Sequence, residues 1–164
     1  MIAGSLDRTL TLWGLEESEA TPVILEKHGD AVWSFASADD GKWMGSGSGD
    51  RRVMLWNLQD KRPKPITLKA HKSTVMAVTA SADGTRLVSA GADGLVVVRD
   101  TTARGKLLGA HPTDARVTAM QFDPDGQSLI MACVDGSLRR WKVAPCDERP
   151  FSFLDWLLWL LGKD

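Results

Sequence analysis

Cysteine is nearly absent: Cys133 and Cys146 are the only two in 164 residues, and their contexts share no ligand spacing. A disulfide framework is therefore not expected, and the usage points to a reducing, cytoplasmic compartment. Excess charge of either sign is also missing. Twenty Lys and Arg against 21 Asp and Glu give a net charge of −1, which leaves no electrostatic footprint for a nucleic acid or an anionic membrane. No basic segment followed by an apolar one opens the chain, so no secretory signal is expected. No apolar run, 156–161 (WLLWLL) included, exceeds six residues, which falls far short of the roughly 20 residues of a spanning helix. Glycine-rich phosphate loops, nucleophile elbows and paired CxxC motifs are lacking too, so neither a cofactor nor catalysis is expected. The remaining composition, 43% hydrophobic and 25% charged, is that of an ordinary globular protein with material for a sizeable core.

What is present is a repeat. The segment 46–56, SGSGDRRVMLW, returns as 3–13, as 89–99 and more weakly as 131–141, and the aspartates Asp7, Asp50, Asp93 and Asp135 are spaced by 43, 43 and 42 residues. Three full units share four fixed points at intervals of 9, 9 and 6: Val32, Gly41, Asp50 and Trp56; Val75, Gly84, Asp93 and Arg99; Val117, Gly126, Asp135 and Trp141. A histidine precedes each set, at His28, His71 and His111. Repetition at such a period is the mark of stacked structural units.

Between the fixed points the sequence reads as strands. Segments 32–37, 75–80 and 117–122 are short, apolar and rich in β-formers. Each ends in Asp-Gly (Asp40-Gly41, Asp83-Gly84, Asp125-Gly126), where glycine supplies the positive φ of a tight hairpin turn. Second strands follow at 43–48, 86–91 and 128–133, then a turn at the aspartate, then third strands at 53–56, 96–99 and 138–141. Fourth strands are expected at 66–68 and 107–108 and, in the last unit, at 151–154. Four short antiparallel strands per unit make one propeller blade. At the N-terminal end, 2–6, 9–13 and 22–25 match the second, third and fourth strands of a partial blade.

Here the sequence resembles the WD-repeat β-propeller family. The family's Gly-His appears as Lys27-His28, Ala70-His71 and Ala110-His111, and its Trp-Asp as Trp56-Asn57, Arg99-Asp100 and Trp141-Lys142. The resemblance covers nearly all of residues 1–150. The fold class expected is all-β, a propeller of four-stranded antiparallel blades, incomplete at about four blades, with a short apolar tail. The divisions are 1–28 for the partial blade, 29–71, 72–111 and 112–154 for the full ones, and 155–164 for the tail. The family usually closes a ring of about seven blades, within a general range of about 4–8, so this chain alone is not expected to complete one.

The resemblance also implies site residues. The family's His, Ser, Asp and Trp form a hydrogen-bonded tetrad within each blade. Carried over, the first full blade has His28, Ser46, Asp50 and Trp56. The second has His71, Ser89 and Asp93, with Arg99 in place of tryptophan, and the third has His111, Asp135 and Trp141, with Met131 in place of serine. Half-satisfied buried networks are costly, so the second and third should be less stable than the first. Catalytic or metal-binding roles for the histidines are disfavoured, because one per blade spreads them around a ring. Asp39-Asp40 and Asp123 with Asp125 sit in repeated turns, which explains them without catalysis. Lys61, Arg62 and Lys64 form a small basic loop with no aromatic platform, read as solvated. Arg140 stands where other units carry Leu12, Leu55 and Val98. It is either a snorkelling edge residue or a contact to something beyond the chain.

For partners, the family's common contact positions map to Leu6, to Ala31, Trp33 and Gly49, to Thr74, Met76 and Ala92, and to Arg116, Thr118 and Val134. Tryptophan, methionine and arginine are enriched at interfaces. A protein or peptide is the expected partner, with Trp33 either a binding anchor or merely packed against Phe35. The function expected is a non-enzymatic interaction scaffold or sensor. The alternative is a regulatory propeller segment of a larger signalling protein or enzyme. Self-association or further blades would complete the ring, and no nucleic acid is expected. The run from Trp156 to Leu161 has three readings: the missing first strand of the N-terminal blade, a short helix on an open blade edge, or an interfacial membrane anchor. The last lacks a basic face, and membrane contact is not expected.

Overall fold

The computed structural model describes residues 2–13, 22–25, 27–39, 41–60, 63–124 and 126–143. These form fourteen strands in four antiparallel sheets. The first sheet is β1 (Ile2–Gly4), β2 (Leu10–Leu12) and β3 (Val23–Ile24), in that order. The second is β4 (Val32–Ser37), β5 (Trp43–Ser48), β6 (Arg52–Asn57) and β7 (Ile66–Lys69). The third is β8 (Val75–Ala80), β9 (Arg86–Gly91), β10 (Leu95–Asp100) and β11 (Lys106–Pro112), and the fourth is β12 (Val117–Phe122), β13 (Ser128–Cys133) and β14 (Leu138–Lys142). Neighbouring strands are consecutive in sequence throughout, as a row of hairpins requires. The fourth strand expected at 151–154, the tail, Cys146, and the Lys61 and Arg62 part of the basic loop lie outside the described residues.

The turns repeat as closely as the strands. Gly41, Gly84 and Gly126 carry φ of 65°, 70° and 65° in the turn after the first strand of each full unit. The residue after each repeated aspartate is also left-handed: Arg8, Arg51, Gly94 and Gly136 have φ of 78°, 70°, 76° and 80°. Two of the four are arginines, which tolerate this region at a cost that glycine avoids.

The hydrophobic core is divided into three layers, one between each pair of successive sheets. Leu10 and Leu25 meet Val32, Met44, Met54 and Trp56 at the first joint. Val53, Leu55 and Leu68 meet Val75, Val78 and Leu87 at the second. At the third, Val88, Ala90, Val96 and Val98 meet Val117, Leu129 and Met131. Small residues let the sheets approach: a Cβ on Gly47 would lie 2.5 Å from Val75 Cγ1. The Ser34 hydroxyl also accepts the Val78 N–H at 2.9 Å, tying the second sheet to the third.

One strand departs clearly from expectation. β11 runs on to Pro112, well past the 107–108 segment, and so contains His111. A bulge at Val98/Arg99 sets this longer register.

Candidate functional site

The repeated polar residues build clamps between successive sheets. At the first joint the His28 N–H donates to the Arg8 carbonyl of the first sheet at 3.1 Å. Its side chain enters the second sheet, with Nδ1 3.0 Å from Asp50 Oδ2 and Nε2 2.8 Å from Ser46 Oγ. Trp56 Nε1 donates to the same Ser46 oxygen at 3.0 Å. The proton order follows from the donors. The indole N–H can only donate, so Ser46 accepts from it and gives its own proton to Nε2; Nδ1–H then donates to the carboxylate. Asp50 also accepts the N–H groups of Gly29 at 2.8 Å and Arg52 at 2.9 Å. Burial pushes this carboxyl up, but the Gly29, Arg52 and His28 donors outweigh it and hold it below the ordinary value. His28, Ser46 and Trp56 are all buried, Trp56 completely.

The second joint keeps all of this but the indole. His71 N donates to the Arg51 carbonyl at a longer 3.4 Å. Its Nδ1 is 3.1 Å from Asp93 Oδ1, and its Nε2 is 2.9 Å from Ser89 Oγ. Burial lowers the imidazole's affinity for a second proton, and Asp93 only partly offsets that. Arg99 stands where Trp56 does, and its guanidinium turns elsewhere: Nη1 donates to the Gly105 carbonyl at 2.9 Å and Nη2 to the Lys69 carbonyl of the second sheet at 3.0 Å. The joint is thus held by an arginine strap in place of the indole.

The third joint departs from the expected arrangement. The equivalent backbone bond, to the Gly94 carbonyl at 2.7 Å, comes from Thr113 and not from His111. Thr113 Oγ1 donates to that same carbonyl at 3.1 Å, so its side chain does not reach into the fourth sheet. His111, two residues earlier, lies within β11 and packs its ring against Trp141, with centroids 4.4 Å apart and planes at 58°. Asp135 is occupied by Ser137, through N–H at 2.9 Å and hydroxyl at 2.6 Å, and by Arg139 at 3.1 Å. The side-chain and backbone donors of Ser137, with Arg139 beside them, hold its carboxyl low. The expected set of His111, Asp135 and Trp141 is replaced by a stacked pair and a separate turn. A sequence signal existed: His28 and His71 precede their aspartates by 22 residues, but His111 precedes Asp135 by 24. Counting back 22 gives Thr113.

The expected contact positions fall at one end of each sheet, where the first strand starts and the second ends. There the N–H of Gly49 donates to Ala31 at 3.0 Å, that of Ala92 to Thr74 at 2.8 Å, and that of Val134 to Arg116 at 2.9 Å. Just inside each pair the register shifts, between Val32 and Ser34, Val75 and Ala77, and Val117 and Ala119. The residues left without a cross-strand partner are Trp33, Met76 and Thr118. Bulges re-aim side chains, and sequence reading did not foresee them. Trp33 is 55% exposed, and Phe35 is exposed too. Met76 is half-buried, Arg116, Thr118 and Val134 are exposed, and Leu6 is exposed in the turn between β1 and β2. Arg140 pairs with Asp123 at 2.8 Å. Among the described residues no cluster of His, Cys, Asp and Glu is arranged to hold a metal, and no helix is long and apolar enough to cross a membrane.

The model of the WD domain, G-beta repeat, matches the chain three times, over residues 20–57, 63–100 and 104–142. Each match begins near the outer strand of one sheet and ends on the third strand of the next, so the sequence unit straddles a joint. The chain belongs to the WD-repeat family, and its class is that of a protein-interaction scaffold. No curated protein matches the chain.

Proposed function

We propose that the loop face carrying Trp33, Met76 and Arg116 binds a peptide or a protein surface. The observation that carries this reading is the bulge that leaves Trp33 unpaired and more than half exposed on a rigid sheet. A large aromatic held in place before binding loses little conformational freedom when a partner covers it. Methionine and arginine at the matching positions of the next two sheets extend the surface with one adaptable and one charged side chain. Ala31, Gly49, Thr74, Ala92, Thr118, Val134 and Leu6 complete it as shape and backbone. The cysteine usage supports a cytoplasmic setting. Self-association would use the outer faces of the first and last sheets instead, and sedimentation reads it separately.

The test is a pull-down with the full chain as bait, repeated with Trp33→Ala. Loss of the captured partners, with the β-sheet spectrum unchanged, is the expected result. Unchanged capture by a folded variant would end the proposal. A regulatory role within a larger protein differs in one observable: there the loop face would gain exchange protection only when a catalytic partner is added.

A further inference from the structure

The flat face of each sheet that looks toward the next is built from two cross-strand pairs. In the second sheet these are Gly45 with Leu55 and Gly47 with Val53; in the third, Val88 with Val98 and Ala90 with Val96. All are buried, Val53, Leu55, Val88 and Ala90 completely, beneath the following sheet. In the fourth sheet the same places hold Ile130 with Arg140 and Ala132 with Leu138. There Ile130 is 44% and Leu138 76% exposed. They line a groove of about 410 Å³ with Ala119, Met120, Phe122 and Ala132. Positions that are core twice over are surface the third time.

We propose that residues 156–161 of this chain dock on that face. The run is six apolar residues, as long as any in the sequence, and lies outside both the matched repeats and the described residues. It follows β14, which borders the groove. The 13 steps from Val143 to Trp156 reach up to roughly 40 Å when extended. Three strands about 4.8 Å apart are narrower than that, so the segment reaches any part of the face. Charge agrees: Arg140 and Lys142 are exposed on β14, and the connecting stretch is net acidic, with Asp147, Glu148 and Asp155 against Arg149. This docking also accounts for Arg140, whose ion pair with Asp123 leaves its side chain 62% exposed at the rim rather than in an apolar layer. The proposal stands apart from the loop-face reading, since it concerns a different surface.

Hydrogen exchange on the full chain tests it. In the unmodified protein, 156–161 should exchange more slowly than a free peptide, at a rate independent of protein concentration. Leu138→Asp should speed that exchange by about tenfold or more and leave β4–β6 unchanged. Leu138 is exposed, so the substitution leaves the sheet intact; Ile130→Thr, milder still, should act in the same direction. Conversely, Leu158→Asp should raise exchange in β13 and β14. Free-peptide rates for 156–161 in the unmodified chain would overturn the proposal. So would protection that grows with protein concentration, which assigns the face to a second copy. Protection that is indifferent to Leu138→Asp, or that appears only with phosphatidylserine-containing vesicles, would overturn it as well.

Discussion

The first and third joints of the arc both bury an apolar layer, the larger at the third, and differ in their polar fastening. At the first, one histidine reaches from a backbone bond in one sheet to a carboxylate and a hydroxyl in the next, and a tryptophan completes the chain of donors. At the third, Thr113 takes the backbone place and folds its hydroxyl back on the same carbonyl, and the His111 ring packs against Trp141 instead of bridging to Asp135. The difference teaches that a repeated residue type is not a repeated role. Two residues of offset along a strand keep His111 on a usable face, yet they move it out of the loop that crosses the joint. The second joint stands between, with its histidine in place and Arg99 strapping Lys69 in lieu of the indole.

Graded substitutions break this comparison most strongly at the first joint. His28→Ala leaves the buried Ser46 hydroxyl proton without its acceptor and takes one donor from Asp50, and should cost about 3 kcal/mol. His71→Ala should cost about 2 kcal/mol, since its serine has no indole depending on it. His111→Ala removes a tilted ring contact and should cost about 1 kcal/mol. Urea midpoints of the three variants give the order directly, and an equal loss at all three positions would contradict the graded account.

Acid sharpens the same contrast. Burial holds His71 and His111 below the ordinary value of 6.5, so both bind a proton more readily in the unfolded chain. Their contribution is complete above that value and is lost as pH falls from 6.5 through the lowered folded values. The carboxylates of Asp50, Asp83 and Asp100, held below 3.8, act only at more acid pH. Urea midpoints should therefore fall between pH 7.5 and 5.5, with a shallower slope in His71→Gln. A flat profile over that window would show that neither histidine is buried as described.

The smallest effect concerns the turns. Gly94 is left-handed and close to the Thr113 carbonyl, so Gly94→Ala should cost about 1 kcal/mol. Arg51 has nearly the same φ, and Arg51→Gly should change stability by only a few tenths of a kcal/mol, because relief of strain is offset by the entropy of glycine. Thermal midpoints of the two variants distinguish them.

Spacing made much of this legible. The hairpin turns and strands follow from Asp-Gly pairs at fixed intervals, and the first and second strands of the full units fall where those intervals put them. The length of β11 was not legible, because a bulge at Val98/Arg99 changes register without leaving a mark in residue type. That bulge is also why reading histidines by identity misplaced the third clamp. The exposure of Trp33 was hidden for a similar reason: alternation along 32–37 does not reveal an inserted residue. Arg99 showed itself as a departure from the pattern, but its two carbonyl partners come from β7 and the loop before β11, which no local window contains.

Native-state hydrogen exchange, resolved by strand, tests the graded account most directly. Strands β5 and β6, joined by the complete His28–Ser46–Asp50–Trp56 network, should open with the highest free energy, β9 and β10 next, and β13 and β14 with the lowest. Equal protection across the three sheets, or greater protection of β13 and β14, would contradict the claim that the clamps set the stability of the arc.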